Sequence, residues 1–491
     1  MHFIESLVRI SKNFLKSSLI YTLAGALPMA SAIILLPFYV GYLSTSDFGA
    51  LSIYFAFSLF IQILTTYSFD TSLYIHFHEY KNDKAKLSSF TSSAFILMLC
   101  IGLCVGLTFT VSGDMVFRNI FPDKSISFHP YGLMAALTGI LQSLFKVHSN
   151  LLQSREKPDI YFWSNVLSFS LIAGFTIIGL QMYPNSLIGP VGGRLVAAFI
   201  SGLWALTRIF REFGIHFNYP LLRTSFSFNF YTFVYQLLQW VINYFDRIIM
   251  LFFLSLGQVG VYDFAMKCLL IIEFILNGLH NSFYPKVVST IMAQQHKGSS
   301  PEINRYYHGF TSVNLLLICL CVLTFPWAVD TFVEKPGYKE SIQYIPYIAL
   351  IYIFRAMRLF YSVPYGILKY TKPLPVIYLV ISAIKIFLIL LLIKRFGVSG
   401  VIAASLICAM IEILLLYYNL REKFHFQYNI FKIVIIPVVI FIMIIILEPL
   451  FGDTVPNMIH LFYLFTCVVL LGWVYRNEIK LIDPFNILRQ D

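Results

Sequence analysis

The chain alternates long apolar runs with short polar breaks from Ser17 to Tyr475. A helix needs about 20 mostly apolar residues to cross the hydrocarbon core of a bilayer. Runs of that size fall at 17–40, 49–71, 89–111, 130–151, 160–181, 187–207, 227–252, 261–283, 309–330, 342–364, 374–393, 398–419, 431–450 and 457–475. They do not alternate, as Ile433–Leu447 illustrates, whereas a membrane barrel would show segments of about ten alternating residues. The pattern predicts an all-α polytopic membrane protein with about 14 transmembrane helices. Leu19–Val40 is too long for the apolar part of a secretion signal and no small-residue cleavage site follows it, so it is expected to remain as a helix.

Composition agrees with that reading. The 491 residues are 58% hydrophobic and 12% charged, against about 25% charged in ordinary globular domains. Too little polar surface remains to face water, so lipid must cover the rest. No break is long enough for an extramembrane catalytic domain, which weighs against a sugar polymerase or ligase. A membrane glycan polymerase would need a carboxylate in an outer loop. Asp47, Asp114, Asp123, Asp330 and Asp453 lie at or near that face, with no motif around them. No phosphate-cradling loop, zinc motif or nucleophile elbow is present, so no enzyme activity, metal or cofactor is expected. Cys100, Cys104, Cys268, Cys319, Cys321, Cys408 and Cys467 all sit in apolar runs and read as small packing residues.

The formal charge of +11 belongs to membrane topology rather than to nucleic acid. Of the 35 lysines and arginines, 23 fall in segments on one side or at the span ends that border them, among them Arg9, Lys12, Lys16, Lys146 and Lys432, and 6 in segments on the other. The remaining 6 lie within spans. The positive-inside rule then puts the N- and C-termini in the cytoplasm. Leu43-Ser44-x-x-Asp47-x-Gly49 recurs as Leu254-Ser255-x-x-Gln258-x-Gly260, at an offset of 211. The economical organisation is two related six-helix bundles, 1–223 and 224–430, with 431–491 supplying two further helices and a tail. Transporters build central sites between such halves.

Charge at depth carries the candidate chemistry. An ionisable group there costs about 2.5–3.5 kcal/mol on insertion scales, so it faces a cavity or a partner. On the seventh span Gln236, Gln239, Asn243, Asp246 and Arg247 occupy an arc of roughly 100°, expected to face the interior; alternatively Asp246 and Arg247 neutralise each other. Asp263 and Lys267 are spaced to pair, and Glu273, Asn277 and His280 form a second stripe. Glu273 has no neighbouring cation in sequence. It is the candidate protonatable coupling carboxylate, or else the partner of a cation on another helix. Arg355 and Arg358 suit an anionic ligand, since guanidinium grips phosphate in a planar fork; the other reading is snorkelling to the membrane edge. Lys385 is expected to pair with Glu412. Asp70 ends the second span and Arg194 lies near the outer end of the sixth. Pro28 and Pro37 interrupt the first, as static kinks or as a gate. Substrate contacts are expected from Arg247, Lys267, Arg355, Arg358 and Lys385. Coupling or gating is expected from Asp246, Glu273, Asp70, Asp263, Pro28 and Pro37.

The segments Lys16-Ser17-Ser18-Leu19-Ile20-Tyr21, Leu36-Pro37-Phe38-Tyr39 and Tyr42-Leu43-Ser44-Thr45-Ser46-Asp47-Phe48-Gly49 resemble the start of bacterial polysaccharide flippases. These are the O-antigen and exopolysaccharide translocases of the multidrug/oligosaccharidyl-lipid/polysaccharide exporter superfamily. Asp246-Arg247 and Leu254-Ser255-Leu256-Gly257-Gln258-Val259-Gly260-Val261-Tyr262 are similar to that family's Asp-Arg pair and Gly-x-Tyr segment, and the resemblance runs through the whole chain in helix order. It implies two six-helix bundles, often with two extra helices, around a V-shaped cationic cavity. It also implies transfer of undecaprenyl-diphosphate-linked oligosaccharide across the inner membrane, from cytoplasmic to periplasmic leaflet. Protons or sodium ions would couple the transfer, and polysaccharide polymerase or assembly proteins would be partners. A multidrug or cation exporter of the same superfamily would favour a net acidic cavity, the reverse of what these residues show; a lipid II flippase is a third reading. The first half has only Arg194 at depth, so the expected cavity is asymmetric.

Overall fold

The computed structural model describes residues 25, 27, 30–121, 126–155, 157–293, 301–368, 370, 372–426, 429–447 and 458–478. Pro28, the opening Lys16–Tyr21 and the C-terminal tail lie outside them. Among the described residues the chain is helical and forms no β-sheet. In order come α1 (Leu36–Tyr42), α2 (Thr45–Thr66), α3 (Phe69–Tyr80), α4 (Lys84–Ile120) and α5 (Leu133–Ser154). There follow α6 (Pro158–Met182), α7 (Ile188–Phe213), α8 (Tyr219–Leu251), α9 (Leu256–Cys268) and α10 (Leu270–Ala293). The series closes with α11 (Pro301–Phe332), α12 (Ile345–Ile367), α13 (Leu374–Leu420), α14 (Ile436–Leu447) and α15 (Met458–Val474). Among the described residues, six helices are at once long and apolar enough to cross a membrane, and three shorter apolar ones accompany them. The protein is a multi-pass membrane protein.

The expected spans fall on this series with local differences. The second span is split between α2 and α3 by Tyr67 and Ser68, both left-handed (φ 43° and 58°), a conformation that non-glycine residues adopt at a cost. The eighth is split between α9 and α10 at Leu269. The eleventh and twelfth are the two limbs of α13, which turns at Gly397 (φ 55°, ψ −132°). A methyl group on Gly400 would sit 2.6 Å from the Leu392 carbonyl oxygen. Eight residues of straight helix would put about 12 Å between them, so the limbs double back on each other. Pro37 occupies the first turn of α1, where its missing N–H costs little.

The repeated motif has the same structure twice. Ser44 Oγ accepts the Asp47 amide at 3.1 Å, and the Asp47 carboxylate accepts the Ser44 amide at 3.3 Å. At α9 the Ser255 hydroxyl accepts the Gln258 amide at 3.3 Å, and Gln258 Oε1 accepts the Ser255 amide at 3.1 Å. These capping boxes satisfy the free amides of both helix starts. The two capped helices then cross at their glycines. Gly49 lies against the Leu256 carbonyl and Gly260 against the Thr45 carbonyl, and a methyl on either glycine would come within 3.0 Å of the other's amide nitrogen. Thr45 and Leu256 are themselves one repeat apart, so the contact is reciprocal, as at a two-fold interface.

Aromatic and basic groups finish this end. Tyr338 Oη donates to the Leu43 and Ser44 carbonyls, both at 3.1 Å, and packs edge-on against Phe48 and Phe264. Lys335 Nζ donates to Leu43 O at 3.0 Å, and burial lowers its pKa. At the opposite, basic end, Ser92 and Ser93 of α4 hydrogen-bond the backbone of Gly214, His216 and Asn218 at 2.8–3.2 Å, fixing the connection between α7 and α8. Leu222 and Phe226 of α8 pack with Phe69, Phe90 and Phe213, so α8 begins among first-half residues and ends in the second half. The expected boundary at 223/224 lies inside it.

The glycine crossing yields a stability prediction. Gly260→Ala should cost about 1–3 kcal/mol by overpacking, read as a lower unfolding midpoint in detergent. Gly41→Ala, with open space around it, should leave the midpoint unchanged. Equal midpoints for the two variants would contradict the contact.

Candidate functional site

The polar stripe of α8 faces inward, and the ionised groups it meets form a chain of alternating sign. Lys385 of α13 lies 3.1 Å from Asp246 Oδ2 and also donates to the Ile242 carbonyl. Asp246 accepts Tyr262 Oη at 2.9 Å and meets Arg247 Nη1 at 2.8 Å. Arg247 passes to Asp263 of α9 through Nε and Nη2, both at 2.9 Å, and to the Asn243 carbonyl at 2.6 Å. Asp263 ends the chain on Lys267 at 2.6 Å. Asp246, Arg247, Asp263 and Lys385 are all buried.

Two further pairs lie alongside. Arg355 Nη1 is 2.9 Å from Glu273 Oε2, and Arg358 Nη1 is 3.9 Å from Glu412 Oε1. The expectation that Lys385 pairs with Glu412 is therefore corrected: Lys385 reaches Asp246, and Glu412 faces Arg358. Arg355 and Arg358, expected to grip an anionic ligand or to snorkel, each have a carboxylate opposite. Burial favours both outcomes, because an ion left unpaired in an apolar interior costs several kcal/mol more than one that faces an opposite charge. Asp246, Tyr262, Arg355, Arg358, Lys385 and Glu412 line a cavity of about 40 Å³, room for a few waters and far too small for a glycan.

A different arrangement lies between α2, α7 and α9. Lys267 Nζ stands 4.4 Å from the Phe48 ring centroid and 5.5 Å from that of Phe55. Arg194 of α7 stands 4.0 Å from the same Phe55 ring. One cation from each half thus shares one aromatic ring of α2. No carboxylate pairs with Arg194 among the described residues; its contact is the ring face, which attracts cations. Spacing had marked Arg194 only by depth, and nothing in the sequence joins it to Phe55. Asp70 forms a separate contact between halves. It lies 2.9 Å from Lys146 of α5 and accepts Gln236 Nε2 of α8 at 3.3 Å. Trp240 Nε1 of α8 also donates to the Ala56 carbonyl of α2 at 2.8 Å. Asp70, Asp246, Glu273 and Asp263 are therefore all paired, and among the described residues no three His, Cys, Asp or Glu groups cluster to hold a metal.

The family model for "Polysaccharide biosynthesis protein" matches residues 14–292. The chain belongs to this polysaccharide biosynthesis family. A Shigella flexneri protein bearing the name "Putative O-antigen transporter" is 24% identical over 340 residues, covering 67% of this chain and 78% of that one. Among solved structures, the lipid II flippase MurJ in an inward closed conformation superposes with a TM-score of 0.70 at 16% identity, covering 96% of this chain and 99% of that chain. An inward-facing multidrug resistance MATE family transporter of the MOP superfamily gives 0.66 at 13% identity, over 84% of this chain and 99% of that one. An outward-facing MATE transporter gives 0.57 at 12% identity, over 83% and 95%. These structural likenesses establish the fold.

The ion chain makes its own prediction. Asp246→Ala leaves Lys385 and Arg247 buried with less counter-charge and should cost about 3–5 kcal/mol. Adding Lys385→Met should restore part of that loss in the same unfolding assay. A double variant no more stable than the single one would mean that the Lys385–Asp246 contact carries no interaction energy.

Proposed function

We propose that this chain is a flippase for lipid-diphosphate-linked oligosaccharide, carrying it from the cytoplasmic to the periplasmic leaflet of a bacterial inner membrane for surface polysaccharide assembly. Family membership, the transporter name of the Shigella relative and the fold shared with a lipid flippase support the reading. The observation that carries it is the pair of cations, Arg194 and Lys267, over the Phe55 ring. A diphosphate headgroup cannot cross hydrocarbon unaided. A cationic junction between two bundles lowers that barrier while the lipid tail stays in the bilayer. Arg194, Arg247, Lys267, Arg355, Arg358 and Lys385 outnumber Asp246, Asp263, Glu273 and Glu412, and the excess falls at this junction. A carrier of cationic drugs would be served by the opposite balance.

In this reading the two six-helix bundles are residues 1–223 and 224–430, with the last two helices beside them and both termini in the cytoplasm. The Gly49–Gly260 crossing closes the outer end, so the headgroup enters from the basic, cytoplasmic end. Glu273, held by Arg355, is the proposed protonatable group, released when an anionic headgroup competes for the arginine. Sodium ions and polymerase or assembly proteins are further candidate partners of the same reading.

Deleting the gene should abolish one surface polysaccharide while its lipid-linked units accumulate on the cytoplasmic face. Unchanged polysaccharide would sink the proposal. In a complemented strain, Glu273→Gln should make export insensitive to the pH gradient; an unaltered pH response removes Glu273 from coupling.

A further inference from the structure

We propose that a cleft at the basic end of the molecule binds the headgroup of an ethanolamine phospholipid. The cleft, about 470 Å³ in volume, opens between the first turns of α11, the approach to α14 and the segment that follows α15. Asn304, Arg305, His308, Lys432 and Glu478 line it. It lies outside the transport junction, and the inference does not rest on the flippase reading.

Part of the cleft is already wired. Lys432 Nζ donates to Glu478 Oε1 at 2.6 Å, and His308 Nδ1 lies 3.6 Å from that same oxygen. Three polar atoms remain without a protein partner: Glu478 Oε2, His308 Nε2 and Asn304 Oδ1. Glu478 and His308 are only 5% and 6% exposed. An unsatisfied buried polar atom costs about 1–3 kcal/mol, so an occupant that supplies hydrogen-bond donors is favoured. The carboxylate beside Nδ1 favours the tautomer with the proton on that nitrogen, in which Nε2 is an acceptor. All three orphan atoms are then acceptors.

A primary ammonium carries three N–H donors and no acceptor, the complement of acceptors that lack donors. Arg305 is exposed on the same helix and also lines the cleft, where its guanidinium suits a phosphodiester. Acceptors within and a guanidinium beside them call for a ligand with an ammonium and a phosphate a few bonds apart. The cleft lies at the end that the lysine and arginine pattern assigns to the cytoplasm, so an inner-leaflet lipid is the source at hand. A choline headgroup has the same charges but no N–H donors. A glycerol headgroup lacks the positive charge.

The test is native mass spectrometry of the full chain in detergent, offered equimolar dioleoyl phosphatidylethanolamine, phosphatidylcholine and phosphatidylglycerol. Each lost hydrogen bond of about 1 kcal/mol corresponds to roughly fivefold in affinity. Ethanolamine adducts should therefore exceed choline adducts at least fivefold. Glu478→Gln should bring that ratio toward one. Asn304→Leu should do the same without touching the Lys432–Glu478 pair, which guards against misfolding of the first variant. Arg305→Gln should weaken both adducts and leave their ratio unchanged. Equal ethanolamine and choline adducts in the unaltered protein, or a ratio indifferent to both Glu478→Gln and Asn304→Leu, would overturn the proposal and leave water as the occupant. Soluble phosphoethanolamine that binds while the lipid does not would also overturn it, in favour of a free aminophosphate.

Discussion

An ionised side chain inside a membrane must find a partner, and that requirement organises this molecule more than any apolar contact does. Lys385, Asp246, Arg247, Asp263 and Lys267 satisfy it by alternating in sign across α13, α8 and α9. Because each internal member is held from two sides, the chain fixes the relative positions of three helices. It also transmits an imbalance. Three cations and two carboxylates leave one positive charge over, and Lys267, the end of the chain, faces the aromatic surface of α2. Arg194 of α7 reaches the Phe55 ring of that surface as well. A structural constraint in the second half thereby becomes an electrostatic feature of the junction between halves.

Two glycines make that junction possible. The Gly49–Gly260 crossing brings α2 and α9 into backbone contact, which places Phe48 and Phe55 within reach of Lys267. The contact sits at one end only. The other end is held through α8, whose long helix starts among residues of the first half and finishes on the ion chain.

Much of the fold was legible because lipid demands long apolar runs and water does not. The helices fell where those runs were, and the repeated Leu-Ser-x-x-Asp/Gln-x-Gly motif proved to be the same capped helix start twice. The inward stripe of α8 followed from 3.6-residue periodicity, and so did the Asp263–Lys267 pair. Pairings between helices did not follow. Asp246 wins Lys385 and Arg358 faces Glu412 because of the relative depth of α8, α12 and α13, which no spacing records. Lys146 was counted among loop charges, yet it lies within α5 and meets Asp70. Arg194 and Phe55 are joined by a ring face, a contact with no sequence signature. The kink at Tyr67 and Ser68 involves neither glycine nor proline, so no local signal announced it.

The central claim is that the shared cationic junction moves an anionic lipid-linked headgroup. Purified protein in proteoliposomes, loaded with undecaprenyl-diphosphate-linked oligosaccharide in one leaflet, tests it most directly through the appearance of glycan at the opposite face. The account predicts transfer by the unaltered protein and at least a tenfold slower rate, about 1.4 kcal/mol in barrier, for Arg194→Gln combined with Lys267→Gln in a normally folded protein. No transfer by the unaltered protein, or an equal rate for the double variant, would contradict it.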